Sequence, residues 1–212
     1  MIAAVVGLGA IGTPLAWLLA GDPRIAALRL IDGDRVERSN LPRQVLYRDQ
    51  DIGRPKASVL AERLGHPEWA VPERLDAGNA ARLLDGVDVV GDGTDNWPTR
   101  LVIDATCRRA GRPWLFLSAI RWEGQAALMA PDGPCLRCLF GAGQDGPACF
   151  EVGIVGPVAG WVASEGYDLL RRHWGGETVR ELRLVDGWRD RVQVVRWAAY
   201  ACPHGGDGRR VG

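Results

Sequence analysis

The chain opens on a short apolar run, Ile2 to Val6, then three spaced glycines, then a second apolar stretch from Leu15 to Ala20. An uninterrupted apolar run of this length has the pattern of a strand buried on both faces, and the stretch after the glycines reads as a covering helix. Gly21-Asp22-Pro23 breaks that helix, and Leu28 to Ile31 reads as a second strand. Val87 to Val90 and Trp114 to Leu117 have the same buried-strand character. Helices are predicted over Pro55 to Leu64, Asn79 to Leu84 and Pro98 to Ala110. Strands alternating with helices predict an α/β fold built on a doubly wound, mostly parallel sheet.

The pattern changes after Ser118. Gly124 to Ala130 reads as a strand and leads into Cys135-Leu-Arg-Cys138; a loop rich in Gly, Asp and Pro runs from Gly141 to Pro147. Gly153 to Trp174 reads as a mostly buried helix. Glu181 to Val185 and Arg191 to Trp197 read as a hairpin with Asp186-Gly187 near its turn, and Cys202 to Gly212 as a loop-like tail. The sequence thus divides into an alternating α/β segment, residues 1–118, and a β-rich extension, residues 119–212. Its 212 residues fit one domain, 1–212.

Composition removes several classes of function. The chain is 47% hydrophobic and 25% charged, a globular balance. Lys plus Arg equals Asp plus Glu at 26 each, which argues against a polybasic nucleic-acid binder. The longest apolar stretch, Ile154 to Ala163, contains Pro157 and falls well short of the about 20 residues that span a membrane. The N-terminus lacks the basic start of a signal peptide. An odd number of cysteines, 5, with two of them in a C-x-x-C, points to a reducing, cytoplasmic setting and to metal or redox chemistry.

Gly7-Leu-Gly9-Ala10-Ile-Gly12 lies between a strand and a helix, the context a G-x-G-x-x-G phosphate loop requires. In such a Rossmann-like unit one glycine allows the tight turn, one lets backbone approach phosphate, and one lets helix and strand pack closely. The helix N-terminus then offers free N–H groups and a positive dipole end. Asp32 ends the second strand twenty residues after Gly12, placed to accept from ribose hydroxyls. The turn alone fits NAD or ATP, and it also fits a tight βα turn without ligand.

The following residues separate the nucleotides. Asp32-Gly-Asp34-Arg-Val-Glu-Arg-Ser-Asn40-Leu-Pro-Arg43-Gln44 is succeeded by Ile52-Gly-Arg-Pro-Lys56-Ala, by Asp92-Gly-Thr-Asp95-Asn96, and by the C-x-x-C at Cys135. In this order and spacing the chain, over roughly Ile2 to Gly160, resembles the ThiF/MoeB/HesA family, bacterial relatives of ubiquitin-activating enzymes. The resemblance implies an ATP-dependent adenylyltransferase. Its acceptor would be the C-terminal carboxylate of a ubiquitin-like sulfur carrier, or of a peptide, ending in Gly-Gly. Arg43 can fork onto phosphate oxygens, Lys56 supplies a compact cation, and Asp95 can take Mg²⁺, a hard cation that prefers oxygen. By the same resemblance Gly7, Gly9, Gly12, Asp32, Asp34, Asn40, Gln44, Asp92 and Asn96 contact the nucleotide. Taken singly, Arg43 and Lys56 are also compatible with solvated loop charges, and Asp92 and Asp95 with helix capping before Pro98.

Cys135 and Cys138 have zinc-ligand spacing. The family's second pair lies near the C-terminus, where this chain has Cys202-Pro-His204-Gly205. His204 in place of a fourth cysteine gives a Cys₃His set; a degraded site without metal is the alternative. Cys149 matches a cysteine that some relatives use covalently, against an inert loop thiol, and Cys107 reads as a small buried hydrophobe. Trp97 and Trp122 read as core or rim packing, or as the wall of a channel for an extended tail. His66 and His173 read as surface residues.

Two departures from the family pattern are present. Ala10 replaces a glycine of the loop, and the sequence starts at the strand, at Ile2, where relatives carry an arginine-bearing segment that reaches a neighbour's ATP site. The missing cation is then expected from a homodimer or other partner, or from Arg100 or Arg121. Two other readings stand beside adenylation: a partner-dependent or non-catalytic module that binds a carrier protein, and an NAD(P)-dependent oxidoreductase.

Overall fold

The computed structural model describes residues 1–141, 153–200 and 202–204. Cys149, Gly205 and the loop expected from Gly141 onward fall almost wholly outside these residues. The chain forms β1 (Ile2–Val6), α1 (Gly12–Ala20), β2 (Ala27–Ile31), α2 (Lys56–Arg63), β3 (Ala70–Val71), α3 (Ala80–Leu83), β4 (Val89–Asp92) and α4 (Trp97–Arg109). There follow β5 (Trp114–Ile120), β6 (Glu123–Met129), α5 (Leu136–Phe140), α6 (Gly156–Trp174), β7 (Glu181–Asp186) and β8 (Arg191–Arg196).

Among the described residues eight strands join one sheet in the order β3-β2-β1-β4-β5-β6-β7-β8. The first five are mutually parallel, and β6, β7 and β8 continue the sheet antiparallel. The strands alternate faces with period two, as pleating dictates. Ala3 and Val5 of β1 join one core with Leu15, Leu60 and Val162, from α1, α2 and α6. Ala4 and Val6 join the other with Ala80, Ile103 and Leu136, from α3, α4 and α5. Both faces of the parallel half are therefore covered, which explains why its strands read as unbroken apolar runs. Each fully buried Leu or Ile contributes about 1.5–3 kcal/mol.

The strand order turns at β1, whose neighbours are β2 and β4. A ligand crevice in an open α/β sheet lies at such a switch point, beyond the carboxyl ends of the strands. Here those ends carry Gly7, Asp32 and Gly93 to Asp95. The two-residue β3, paired with Leu30 and Ile31, has no counterpart in the sequence pattern because it is too short to show a period.

At the far end of α1, Asp22 ties the chain together. Its carboxylate accepts from Arg24 Nε and Nη2 at 2.9 and 2.7 Å and from the Tyr167 hydroxyl of α6 at 2.8 Å. The Arg24 guanidinium holds the Asp22 carboxyl well below the usual carboxylate range. Among the described residues no helix is long and apolar enough to cross a membrane.

Candidate active site

The glycine turn is fixed from three sides. The Gly7 amide donates to Ile31 O at 2.9 Å, the Leu8 amide to Asp32 Oδ2 at 2.6 Å, and the buried Tyr47 hydroxyl to Leu8 O at 3.0 Å. Gly7 has φ +81°, and a Cβ there would stand 2.8 Å from the Gly93 backbone. Any side chain at Gly12 would collide with Gly7 O, so Gly12 is the glycine that brings α1 against the strand ends. The amides of Gly9, Ala10 and Ile11 make no hydrogen bond among the described residues. They form the free donor row that the helix start predicts.

Around this turn lies a cavity of about 360 Å³, a size typical of small-ligand sites. Its lining includes Gly7, Gly9, Asp32, Asp34, Asn40, Arg43, Gln44, Lys56 and Asp95, so nine of the positions that the resemblance assigns to nucleotide or magnesium converge on it. Lys56, at the first turn of α2, is 6% exposed, and its Nζ is 3.6 Å from Asp34 Oδ2. It is thus a buried cation and not a solvated loop charge. Arg43 is half-buried, with Nη1 donating to Ser39 O at 2.8 Å. Asp32 accepts the Leu8 and Asp34 amides; burial raises its pKa, and the Lys56 ammonium pulls it back.

Asn40 and Gln44 are buried, yet Asn40 Oδ1 and Gln44 Oε1 have no hydrogen-bond partner among the described residues. An unsatisfied buried polar atom costs about 1–3 kcal/mol, and both residues face a cavity that a polar ligand can enter. Asp95 is exposed at the cavity margin and makes no hydrogen bond or ion pair among the described residues. Its carboxylate is free to take a cation.

Cys135, Cys138, Cys202 and His204 form a second constellation, their ligand atoms all within 4.8 Å of one another. The Sγ atoms of Cys135 and Cys138 are 3.5 Å apart, and those of Cys138 and Cys202 are 3.7 Å apart. His204 Nδ1 lies 3.2, 3.3 and 3.9 Å from the sulfurs of Cys135, Cys138 and Cys202. A tetrahedral zinc with about 2.3 Å bonds to sulfur requires edges of about 3.8 Å between sulfurs and slightly less to nitrogen. The donor set and its spacing fit such an ion. Cys135 caps α5, and Asp104 and Arg108 of α4 hold its loop. Asp104 Oδ2 accepts the Leu136 amide at 3.2 Å, and Arg108 donates to Pro131 O and Gly133 O at 2.8 and 2.5 Å. Cys107 is fully buried, which pushes its thiol up to about 12.

Residues 2–203 match the profile of the ThiF family. The chain belongs to the ThiF family. It is 37% identical to the sulfur carrier protein ThiS adenylyltransferase of Escherichia coli, across 94% of this chain and 83% of that protein. It is 40% identical to the SAMP-activating enzyme E1 of Haloferax volcanii, across 78% of this chain and 66% of that one. A sulfur carrier protein adenylyltransferase of Thermus thermophilus is 37% identical, over 76% and 64% respectively. Apart from the ThiS adenylyltransferase, the chain thus spans about two thirds of the length of these relatives. Among solved structures, Escherichia coli MccB with succinimide superposes with a TM-score of 0.78 at 18% identity, covering 95% of this chain and 65% of that one. MccB with ATP gives 0.76 at 19%, covering 92% and 63%. At that identity the likeness establishes the fold.

Several of the residues singled out from sequence lie outside the cavity lining. Gly12, Asp92 and Asn96 do not line the cavity. Asp92 is fully buried beneath it; burial raises its pKa while the Arg100 guanidinium and Thr94 lower it. Asn96 is the N-cap of α4, accepting the Thr99 amide at 3.0 Å, so the cap before Pro98 is neither Asp92 nor Asp95. Arg100 lines the cavity but is bound to Asp92, whereas Arg121 does not line it; Arg121 has φ +50° and bridges Ile154. Arg74, also at the cavity, was not legible in the sequence: its Nη2 donates to Asp34 Oδ1 at 2.6 Å. Gly33 allows that approach, since a Cβ there would sit 2.8 Å from the Arg74 amide nitrogen. Trp97 packs edge-on against Phe140, while Trp122 is 42% exposed against Trp188.

Proposed function

We propose that this chain is an ATP-dependent adenylyltransferase that activates the C-terminal carboxylate of a ubiquitin-like sulfur carrier, or of a peptide, as acyl-AMP with release of pyrophosphate. The observation that carries the reading is the convergence of a buried Lys56, Arg43, a free Asp95 and two unpartnered amide oxygens on the cavity beside the glycine turn. In this reading the free amides of Gly9, Ala10 and Ile11 donate to phosphate and Asp32 receives ribose hydroxyls. Arg43 and Lys56 stabilise the charge that builds on the α-phosphate as the carboxylate attacks. Asn40 and Gln44 supply neutral hydrogen bonds. Asp95 holds Mg²⁺, which neutralises phosphate charge. Residues 1–118 supply the nucleotide site and 119–212 the acceptor side and the cysteine cluster, as one unit. The cluster holds a structural zinc, and a reducing cytoplasmic setting keeps its thiols available.

Asp34 offsets part of the positive charge of Lys56 and Arg74, and Arg100 is paired with Asp92, so among the described residues Arg35 and Arg43 are the lining cations without a carboxylate partner. This supports a site completed by a second copy or another partner. The named relatives, a ThiS adenylyltransferase and a SAMP-activating enzyme, support a carrier protein as acceptor. The test is pyrophosphate exchange into ATP with a carrier ending in Gly-Gly, beside calorimetric titration with Mg·ATP and with NAD. Carrier-dependent exchange and preference for ATP are expected. Tighter binding of NAD refutes adenylation in favour of the oxidoreductase reading, and ATP binding without exchange favours the interaction module.

A further inference from the structure

We infer that Arg100 is a positioning residue for the cation held at Asp95. The inference rests on the adenylation reading. Asp95 has no side-chain partner among the described residues, so its place in the site is set by its backbone alone. That backbone, Gly93 to Asp95, runs from the end of β4 to the cap of α4, and Arg100 fastens it from below. Arg100 Nε donates to Asp92 Oδ2 at 3.0 Å; Nη2 donates to Thr94 O at 2.7 Å and to Leu117 O of β5 at 3.1 Å. Asp92 in turn accepts the Thr94 amide at 2.9 Å and the Thr94 hydroxyl at 2.6 Å. The two side chains form a closed ring of charge-assisted bonds around Thr94, the residue before Asp95. On its other side the loop is held by the Gly93 amide, which donates to Val6 O at 2.8 Å.

The ring needs arginine. The planar fork reaches a carboxylate and two carbonyls at once, whereas a lysine ammonium on a longer stem is a point charge without that geometry. The guanidinium also lies over the Phe116 ring, 5.1 Å from its centre. Asp92 and Arg100 are both buried, so each leaves the other an unpaired buried charge if removed. Arg100 lines the cavity, but its Nε and Nη2 are committed to Asp92, Thr94 and Leu117, so in this inference it acts on the nucleotide site through Asp95 and not as a replacement phosphate cation.

The test uses the full chain as Arg100→Lys and Thr94→Val, the second keeping both charges and removing only the hydroxyl from the ring. ATP binding is measured by calorimetry in EDTA, and Mn²⁺ is then titrated into the ATP complex and followed by electron paramagnetic resonance. Loss of a partner that orients a metal-ligating carboxylate typically costs about 10–100-fold in metal affinity. We expect Arg100→Lys to weaken Mn²⁺ binding by about tenfold or more with metal-free ATP binding unchanged, and Thr94→Val to move the same way by less. If Arg100→Lys does not fold, Thr94→Val decides alone. Unchanged Mn²⁺ affinity in a folded variant overturns the inference, as does an equal loss of metal-free ATP binding, which marks a direct phosphate contact. A wild-type chain that binds no ATP overturns the adenylation reading and this inference with it.

Discussion

Lys56→Met is the substitution that separates chemistry from folding most cleanly. The Lys56 side chain is 8% exposed, and the carboxylate paired with it among the described residues, Asp34 at 3.6 Å, is itself half exposed and also bound by Arg74; Asp32 feels the ammonium through space. Methionine keeps the unbranched stem that packs at the start of α2 and removes only the ammonium. The lost ion pair is of the partly solvated kind worth about 0–1 kcal/mol, so thermal stability should shift by only a few degrees. The cost to catalysis is larger. A unit charge about 4 Å from a phosphate oxygen interacts by about 4 kcal/mol at an effective dielectric of 20. Only the part that grows as charge builds in the transition state changes kcat. Loss of one such preorganised group costs about 10²–10³ in rate, or about 2.7–4 kcal/mol. Exchange of labelled pyrophosphate into ATP, with carrier saturating, should therefore fall by about 100-fold while melting and circular dichroism stay near wild type. Exchange close to wild type would refute the assignment of Lys56. A loss of activity that tracks a collapse in melting temperature would place the residue in folding.

Three further outcomes are expected. Purified protein should hold about one zinc per chain by metal analysis, and Cys202→Ser or His204→Ala should lower that content, since a closed structural site needs four ligands; zinc-free protein prepared without chelator would refute the site. Asp22→Asn should cost about 1.5–3 kcal/mol at pH 7, because it removes charge-assisted bonds to Arg24 and a bond from Tyr167. The folded-state pKa of Asp22 is depressed, so its contribution is present above the unfolded carboxylate range near 4 and is lost as pH falls below it. Urea melts at pH 7 and pH 3 should show the gap between wild type and variant shrinking; a gap independent of pH would refute the ionic account. Light scattering across a dilution series, with exchange measured on the same samples, should show a dimer or a partner-dependent rate. A monomer with full activity would contradict a site completed in trans.

The order of the longer strands and helices was legible, β3 and the five-residue α5 apart, because their signals are local. β1, the glycine turn and α1 occupy consecutive residues, and burial on both faces writes β1 as an unbroken apolar run. The hairpin of β7 and β8 was legible for the same reason, through alternation and the Asp186-Gly187 turn. The motif residues from Asp32 to Asp95 were legible as a set because residue type and spacing survive in one dimension. What the sequence could not assign was the partner of each charge. Asp92 and Asp95 look alike in sequence, three residues apart, yet one is sealed beneath the cavity by Arg100 and the other stands free at its margin. Arg74 reaches Asp34 across forty residues, and His204 meets Cys135 across sixty-nine. Such pairings exist only once the sheet has brought distant strand ends together. Burial, which decides whether a charge needs a partner or can meet a ligand, is a property of the packed chain and of no single segment.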